Sequence, residues 1–127
     1  MAESRYDEFQ RFRTALNERI QGGDAEGQAG ATTVTKRFFN LDTQAYKPGA
    51  LDEKTKELMG LAVSMGLRCD DCVAYHIDRA VECGASDREL WETFDIALII
   101  GGSIVIPHLR RAVAFLDECR ERRGGGA

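Results

Sequence analysis

Uninterrupted apolar sequence is what this chain has least of. Its longest such stretch, IALIIGGSIVI from Ile96 to Ile106, is far shorter than the roughly 20 residues of a membrane span. The opening, MAESRYDEFQ, is charged from its third residue and lacks the apolar core of a signal peptide. The expectation is a cytoplasmic protein with no membrane partner. Positive charge is also in short supply: 17 Lys and Arg stand against 21 Asp and Glu, a net charge of −4, with both signs interspersed. No basic stripe is available to track a phosphate backbone, so nucleic acid is not an expected partner. No stretch alternates convincingly with period two, and no internal repeat is visible. Cysteine numbers only four. Four could close two disulfides in an exported chain, but in a reducing compartment a close pair is more often catalytic or metal-binding.

What the chain does have is helical periodicity. Its 127 residues are the length of one domain, expected to span 1–127, with enough chain to bury a core. Ser4 is a plausible N-cap for a first helix carrying Tyr6, Phe9, Leu16 and Ile20, which Gly22 and Gly23 stop. Residues 22–33 are small, Gly-rich and aperiodic, and read as a flexible connection or a segment ordered by a neighbouring subunit. Val34, Phe38, Leu41 and Ala45 mark a second helix, ended by Lys47–Gly49. Asp52 caps a third, with Leu58, Leu61, Ala62 and Met65 on one face, ending at Gly66. A fourth begins near Cys69 to Asp71, carries Val73, Ile77, Ala80 and Val81, and ends at Gly84. Ser86 to Glu89, SDRE, has the form of a capping box and launches a fifth helix through Trp91, Phe94, Ala97 and Leu98. A last helix shows Val105, Leu109, Ala112 and Leu116 on its apolar face and tolerates Pro107 only near its first turn. The expected fold is an all-α bundle of about six helices, with a disordered tail over 123–127.

The chemistry concentrates in CDDCVAYH, Cys69 to His76. On a helix Cys72 and His76 are i and i+4 neighbours, roughly 6 Å apart along the axis, so the imidazole can take the thiol proton. The helix N-terminus stabilises the resulting anion, and the two effects together can bring a thiol from about 8.5 towards neutrality. Cys69 is within reach of Cys72, so an oxidised sulfur on one can be resolved by the other as a disulfide. A zinc site is the competing reading, because Cys69, Cys72, His76 and Cys83 supply three thiols and an imidazole. One helix from Cys69 to Cys83 would separate its ends by roughly 21 Å, which forbids joint coordination by all four. Glu57 or another subunit could still complete a three-ligand site, and two core-packed thiols are a third reading. Cys83 itself reads as a buried apolar residue.

The run from Glu53 to Gly102 resembles the carboxymuconolactone decarboxylase and alkyl hydroperoxidase D family. The pattern is a Glu twelve residues before a CxxC, followed by three residues and a His; here these are Glu57, Cys69, Cys72 and His76. The resemblance implies a proton relay in which Glu and His, with a water, deprotonate the second cysteine, which attacks a peroxide before the first cysteine closes the disulfide. Carried over, Cys72 is the peroxidatic thiol, Cys69 the resolving thiol, His76 the base and Glu57 the group that orients it. An isolated CxxC would instead assign the attack to Cys69 as the more exposed thiol. Without the family spacing, Glu57 would read as a solvated surface charge. The resemblance also implies a homo-oligomer, a trimer or hexamer, fed by a hydroperoxide and regenerated by a dithiol, small or lipoyl-bearing; no cofactor or metal is expected. The chain departs from alkyl hydroperoxidase D in carrying Asp71 where that enzyme has a second His, and a carboxylate beside Cys72 tends to raise its pKa. The family's true decarboxylases lack the dithiol and act on a lactone carboxylate without a cofactor.

Three further expectations concern the remaining residues. His108, after Pro107, is assigned a structural or interface role, and Cys119, within DECRERR, reads as a bystander. Trp91, Phe94 and the Ile-rich run are expected in the core. That run is more apolar than a monomer of this size needs, which points to association.

Overall fold

A computed structural model of the chain describes residues 2–25 and 27–123. Six α-helices account for most of them, and among the described residues there is no strand beyond one isolated bridge, Ala25 with Gln28. Backbone contacts group the chain into two units, Met1–Lys47 and Pro48–Ala127.

The first unit holds α1 (Arg5–Gln21) and α2 (Thr33–Ala45). The Ser4 hydroxyl accepts the Asp7 N–H at 3.0 Å, and Asp7 and Glu8 complement the positive end of the helix dipole. The Gly-rich stretch closes locally: Ala25 and Gln28 exchange two backbone hydrogen bonds of 2.9 Å, and Asp24 Oδ1 accepts the Gly30 N–H at 2.8 Å. Gly27, inside that turn, has φ +72°, which only glycine adopts without strain. Glu26 lies outside the described residues. Neither α1 nor α2 buries a residue within the chain, and Phe12, Val34, Phe38 and Leu41 are all well exposed.

The second unit holds α3 (Glu53–Gly66), α4 (Asp70–Glu82), α5 (Asp87–Gly101) and α6 (Ile106–Arg123), with a short 3-10 turn at Ser103–Val105 before α6. Its helix starts are locally encoded. Asp52 Oδ1 accepts the Thr55 N–H at 2.8 Å, and Ser86 with Glu89 forms the reciprocal capping box. Gly84 follows α4 at φ +90°. α4 packs against α3 and α6, and α3 also packs against α5. The core between them contains Leu61 and Met65 of α3, Ile77 and Ala80 of α4, Leu90 and Phe94 of α5, and Ala112 and Leu116 of α6. Each of the larger side chains contributes about 1.5–3 kcal/mol through burial.

Four expectations are corrected here. Trp91 is 40% exposed and meets Phe94 edge-on rather than sharing its burial. Ile99 and Ile100 are each 81% exposed, because α5 turns only Leu90, Phe94 and Ala97 inward. Cys83 is half-buried rather than buried, since it caps the end of α4. Arg123, placed by sequence in a disordered tail, ends α6 and grips Asp78 with Nε and Nη2 at 2.7 and 3.1 Å. The rest of that expected tail, residues 124–127, lies outside the described residues.

Candidate active site

The site is assembled where α3 runs alongside α4. Glu57 falls on the α3 face that also carries Leu61 and Ser64, so helical spacing draws a carboxylate inside, to 1% exposure. α3 ends in a tight turn in which Arg68, unusually for a non-glycine residue, has φ +59°. The turn is held by Arg68 N–H to the Met65 carbonyl (3.0 Å) and Cys69 N–H to the Ser64 carbonyl (3.1 Å). It delivers Cys69 as the N-cap of α4, with its sulfur accepting the Cys72 N–H at 3.3 Å.

Cys69 and Cys72 are joined as a disulfide, with Cα atoms 5.3 Å apart. Cys69 is half-buried and Cys72 exposed, the reverse of the order assumed for an isolated CxxC. One turn further along α4, His76 is buried and its Nδ1 lies 2.8 Å from Glu57 Oε1. A carboxylate only accepts, so Nδ1–H donates and Nε2 is left as the basic nitrogen. The contact is direct: at that separation no water fits between the two side chains. Tyr75 meets the imidazole edge-on, with ring centres 5.2 Å apart.

Two members of this arrangement were missed by sequence. Gly60 lies under the imidazole; a β-carbon there would come within 2.8 Å of His76 Cε1 and 3.0 Å of both ring nitrogens. The ring can approach α3 because Gly60 has no side chain, and the signal was a glycine one turn after Glu57. Arg79, one turn after His76, holds Glu53 at 3.1 Å and brings Nε to 4.0 Å from Glu57 Oε2. Glu57 therefore sits between an imidazole on one oxygen and a guanidinium on the other, which offsets the cost of burying its charge. Arg79 also pairs with Glu82.

The remaining candidates lie elsewhere. Cys83 stands at the opposite end of α4, about 20 Å along the axis from Cys69, so the four-ligand zinc set does not converge. Among the described residues no group of three or more His, Cys, Asp or Glu side chains gathers as a metal site. Burial, with Glu53 nearby, pushes the Cys83 thiol up to about 11. Cys119 is fully buried, and burial together with Asp78 pushes its thiol up to about 12. Both are poor nucleophiles at neutral pH. His108 Nδ1 is 2.7 Å from Asp70 Oδ1, at the start of α4.

Comparison with known proteins places this geometry. The sequence model of the carboxymuconolactone decarboxylase family matches residues 32–115. A crystal structure of a carboxymuconolactone decarboxylase family protein of Thermotoga maritima, for which involvement in the antioxidative response has been suggested, is 57% identical. It aligns over 91% of this chain and 92% of its own, with a TM-score of 0.82. The apo structure of a family member from Legionella pneumophila is 30% identical over 90% of this chain and 86% of its own, with a TM-score of 0.58. An uncharacterised protein of the cox locus of Paracoccus denitrificans is 31% identical over 72% of this chain and 81% of its own length.

Proposed function

Since the chain belongs to the carboxymuconolactone decarboxylase family, we propose that it is an alkylhydroperoxidase-like thiol–disulfide oxidoreductase that reduces hydroperoxides. The observation that carries the reading is a Cys69–Cys72 pair at bonding distance, one helical turn from a buried Glu57–His76 pair. The antioxidative role suggested for the Thermotoga maritima protein agrees with it.

The chemistry starts from the dithiol. His76 Nε2 takes the proton of Cys72, the imidazolium being stabilised through Nδ1–H by Glu57. The Cys72 thiolate attacks one peroxide oxygen; the O–O bond breaks, the alcohol leaves with a proton, and Cys72 becomes a sulfenic acid. Cys69 then attacks that sulfur, water leaves, and the disulfide closes. Two electrons pass from the two sulfurs to the peroxide. An external dithiol, small or lipoyl-bearing, returns them through a mixed disulfide with Cys72 and is itself oxidised. Among the described residues no helix is long and apolar enough to cross a membrane, and the proposal assigns the enzyme to the cytoplasm. The exposed apolar faces of α1, α2 and α5 support a homotrimer or homohexamer.

Turnover with an organic hydroperoxide and dihydrolipoamide tests the scheme. Cys72→Ser abolishes turnover, whereas Cys69→Ser permits one oxidation and then stalls. Undiminished turnover in both variants would refute the reading; decarboxylation of a carboxylated lactone that survives replacement of both cysteines by serine would instead favour a cofactor-free, decarboxylase-type reaction.

A further inference from the structure

The dithiol carries a liability that the Glu57–His76 pair does not address. Asp70 and Asp71 lie between the two cysteines, and each carboxylate opposes ionisation of a neighbouring sulfur. Asp71 is exposed, where water screens it; Asp70 is half-buried. The Asp70 carboxylate is taken up by α6: Oδ1 lies 2.7 Å from His108 Nδ1, and Oδ2 lies 3.8 Å from the Arg111 guanidinium. His108 and Arg111 are one turn apart and so present both donors on one side of α6. The start of α6 supports the same pairing. Its first turn contains no acidic residue, although a helix N-terminus favours one, and Asp70 brings a carboxylate to it from α4.

We propose that His108, with Arg111, is a positioning residue that takes up the charge of Asp70 and thereby sets how readily Cys69 exists as a thiolate once the disulfide opens. The charged and titratable groups closest to that sulfur along the chain are Arg68 before it and Asp70, Asp71 and the Cys72 thiol after it; His108 and Arg111 reach Asp70 from α6, and His76, one turn further along α4, is paired with Glu57 of α3. Cys69 is the thiolate released when a reductant attacks Cys72, and a sulfur of lower pKa leaves faster. The Asp70–His108 pair therefore acts on the reductive half of the cycle, while Glu57–His76 acts on the oxidative half. The inference rests on the proposed dithiol only in requiring that Cys69 exist as a thiol.

The test uses the full chain, reduced and freed of reductant, with iodoacetamide alkylation of Cys69 followed across pH by mass spectrometry. His108→Ala moves the Cys69 midpoint up by about half a unit, because the Asp70 carboxylate loses its 2.7 Å hydrogen-bond partner and its charge then acts more fully on the sulfur. Asp70→Asn moves it down, and His108→Ala added to Asp70→Asn has no further effect. His108→Gln, which keeps a hydrogen-bond donor, shifts the midpoint by less than His108→Ala and supplies the reading if the alanine variant does not fold. An unmoved midpoint in both His108 variants, or the same upward shift with and without Asp70, would overturn the assignment. Because no peroxide is used, a protein that failed to reduce peroxides would leave this result intact.

Discussion

Replacing Gly60 by alanine sets two physical effects of opposite sign against each other. In the interior of α3, alanine should be favoured over glycine by about 1 kcal/mol, through reduced backbone entropy in the unfolded chain. Its β-carbon, however, would lie 2.8–3.0 Å from three atoms of the His76 ring. Overpacking of this kind costs about 1–3 kcal/mol where the neighbour is held. His76 is held: it is buried, and its Nδ1–H is 2.8 Å from Glu57. If the ring moves instead, a hydrogen bond to a buried charged group, worth about 1.5–3 kcal/mol, is lost. The loss at least matches the gain on either path, and the expected net change is a destabilisation of about 0–2 kcal/mol. Urea denaturation of the oxidised protein should show the midpoint falling by about 0.5 M with an unchanged slope. The displaced imidazole is also a poorer base for Cys72, so the alkylation midpoint of the reduced protein moves to higher pH. A variant about 1 kcal/mol more stable than the parent, with an unmoved alkylation profile, would show that His76 does not rest on Gly60.

Two further outcomes follow from the same geometry. Arg79→Met removes the guanidinium nearest to Glu57 Oε2 and should lower stability by about 1–2 kcal/mol, discounted because Arg79 is one-third exposed. Arg79→Lys should recover at least half of that loss, and in a Glu57→Gln background the cost should shrink; equal costs in both backgrounds would separate Arg79 from Glu57. Cys119 offers a pH test. Its folded-state value of about 12 lies above the ordinary thiol value of 9.0, so its contribution is complete below about 9 and is lost as pH rises towards 12. The unfolding midpoint of Cys119→Ala should accordingly decline less than that of the parent above pH 9, and parallel declines would contradict the burial argument.

The parts of the fold that depend on neighbours in sequence were legible in advance. Ser4, Asp52 and the Ser86–Glu89 box cap helices because each satisfies an N–H within three residues, so the signal and its cause lie in the same short segment. Pro107 in the first turn of α6 follows the same logic. The outward isoleucines of α5 did not, because an apolar side chain spaced for the core and one left on the surface look alike in sequence. The short 3-10 turn before α6 leaves no comparable trace.

The candidate site divides along the same line. Cys69, Cys72 and His76 share one helical turn or two, and their juxtaposition needs only a helix. Glu57 is different: a carboxylate on a helix reads as solvated, and its burial comes from α3 packing on α4, which the family spacing alone anticipated. Asp70 with His108 spans 38 residues, and Arg79 reaches Glu57 across two helices. No periodicity encodes such contacts, since they depend on which helices become neighbours.

If Cys69 and Cys72 are an electron-donating pair, a stoichiometric oxidation shows it. Reduced protein is mixed with a measured amount of cumene hydroperoxide, and the thiols and the alcohol product are followed together by mass spectrometry. The account predicts one alcohol formed per chain, a Cys69–Cys72 disulfide in the same amount, Cys83 and Cys119 untouched, and full reversal by dihydrolipoamide. Alcohol formed without that disulfide, or peroxide left unconsumed while both thiols remain reduced, would contradict it.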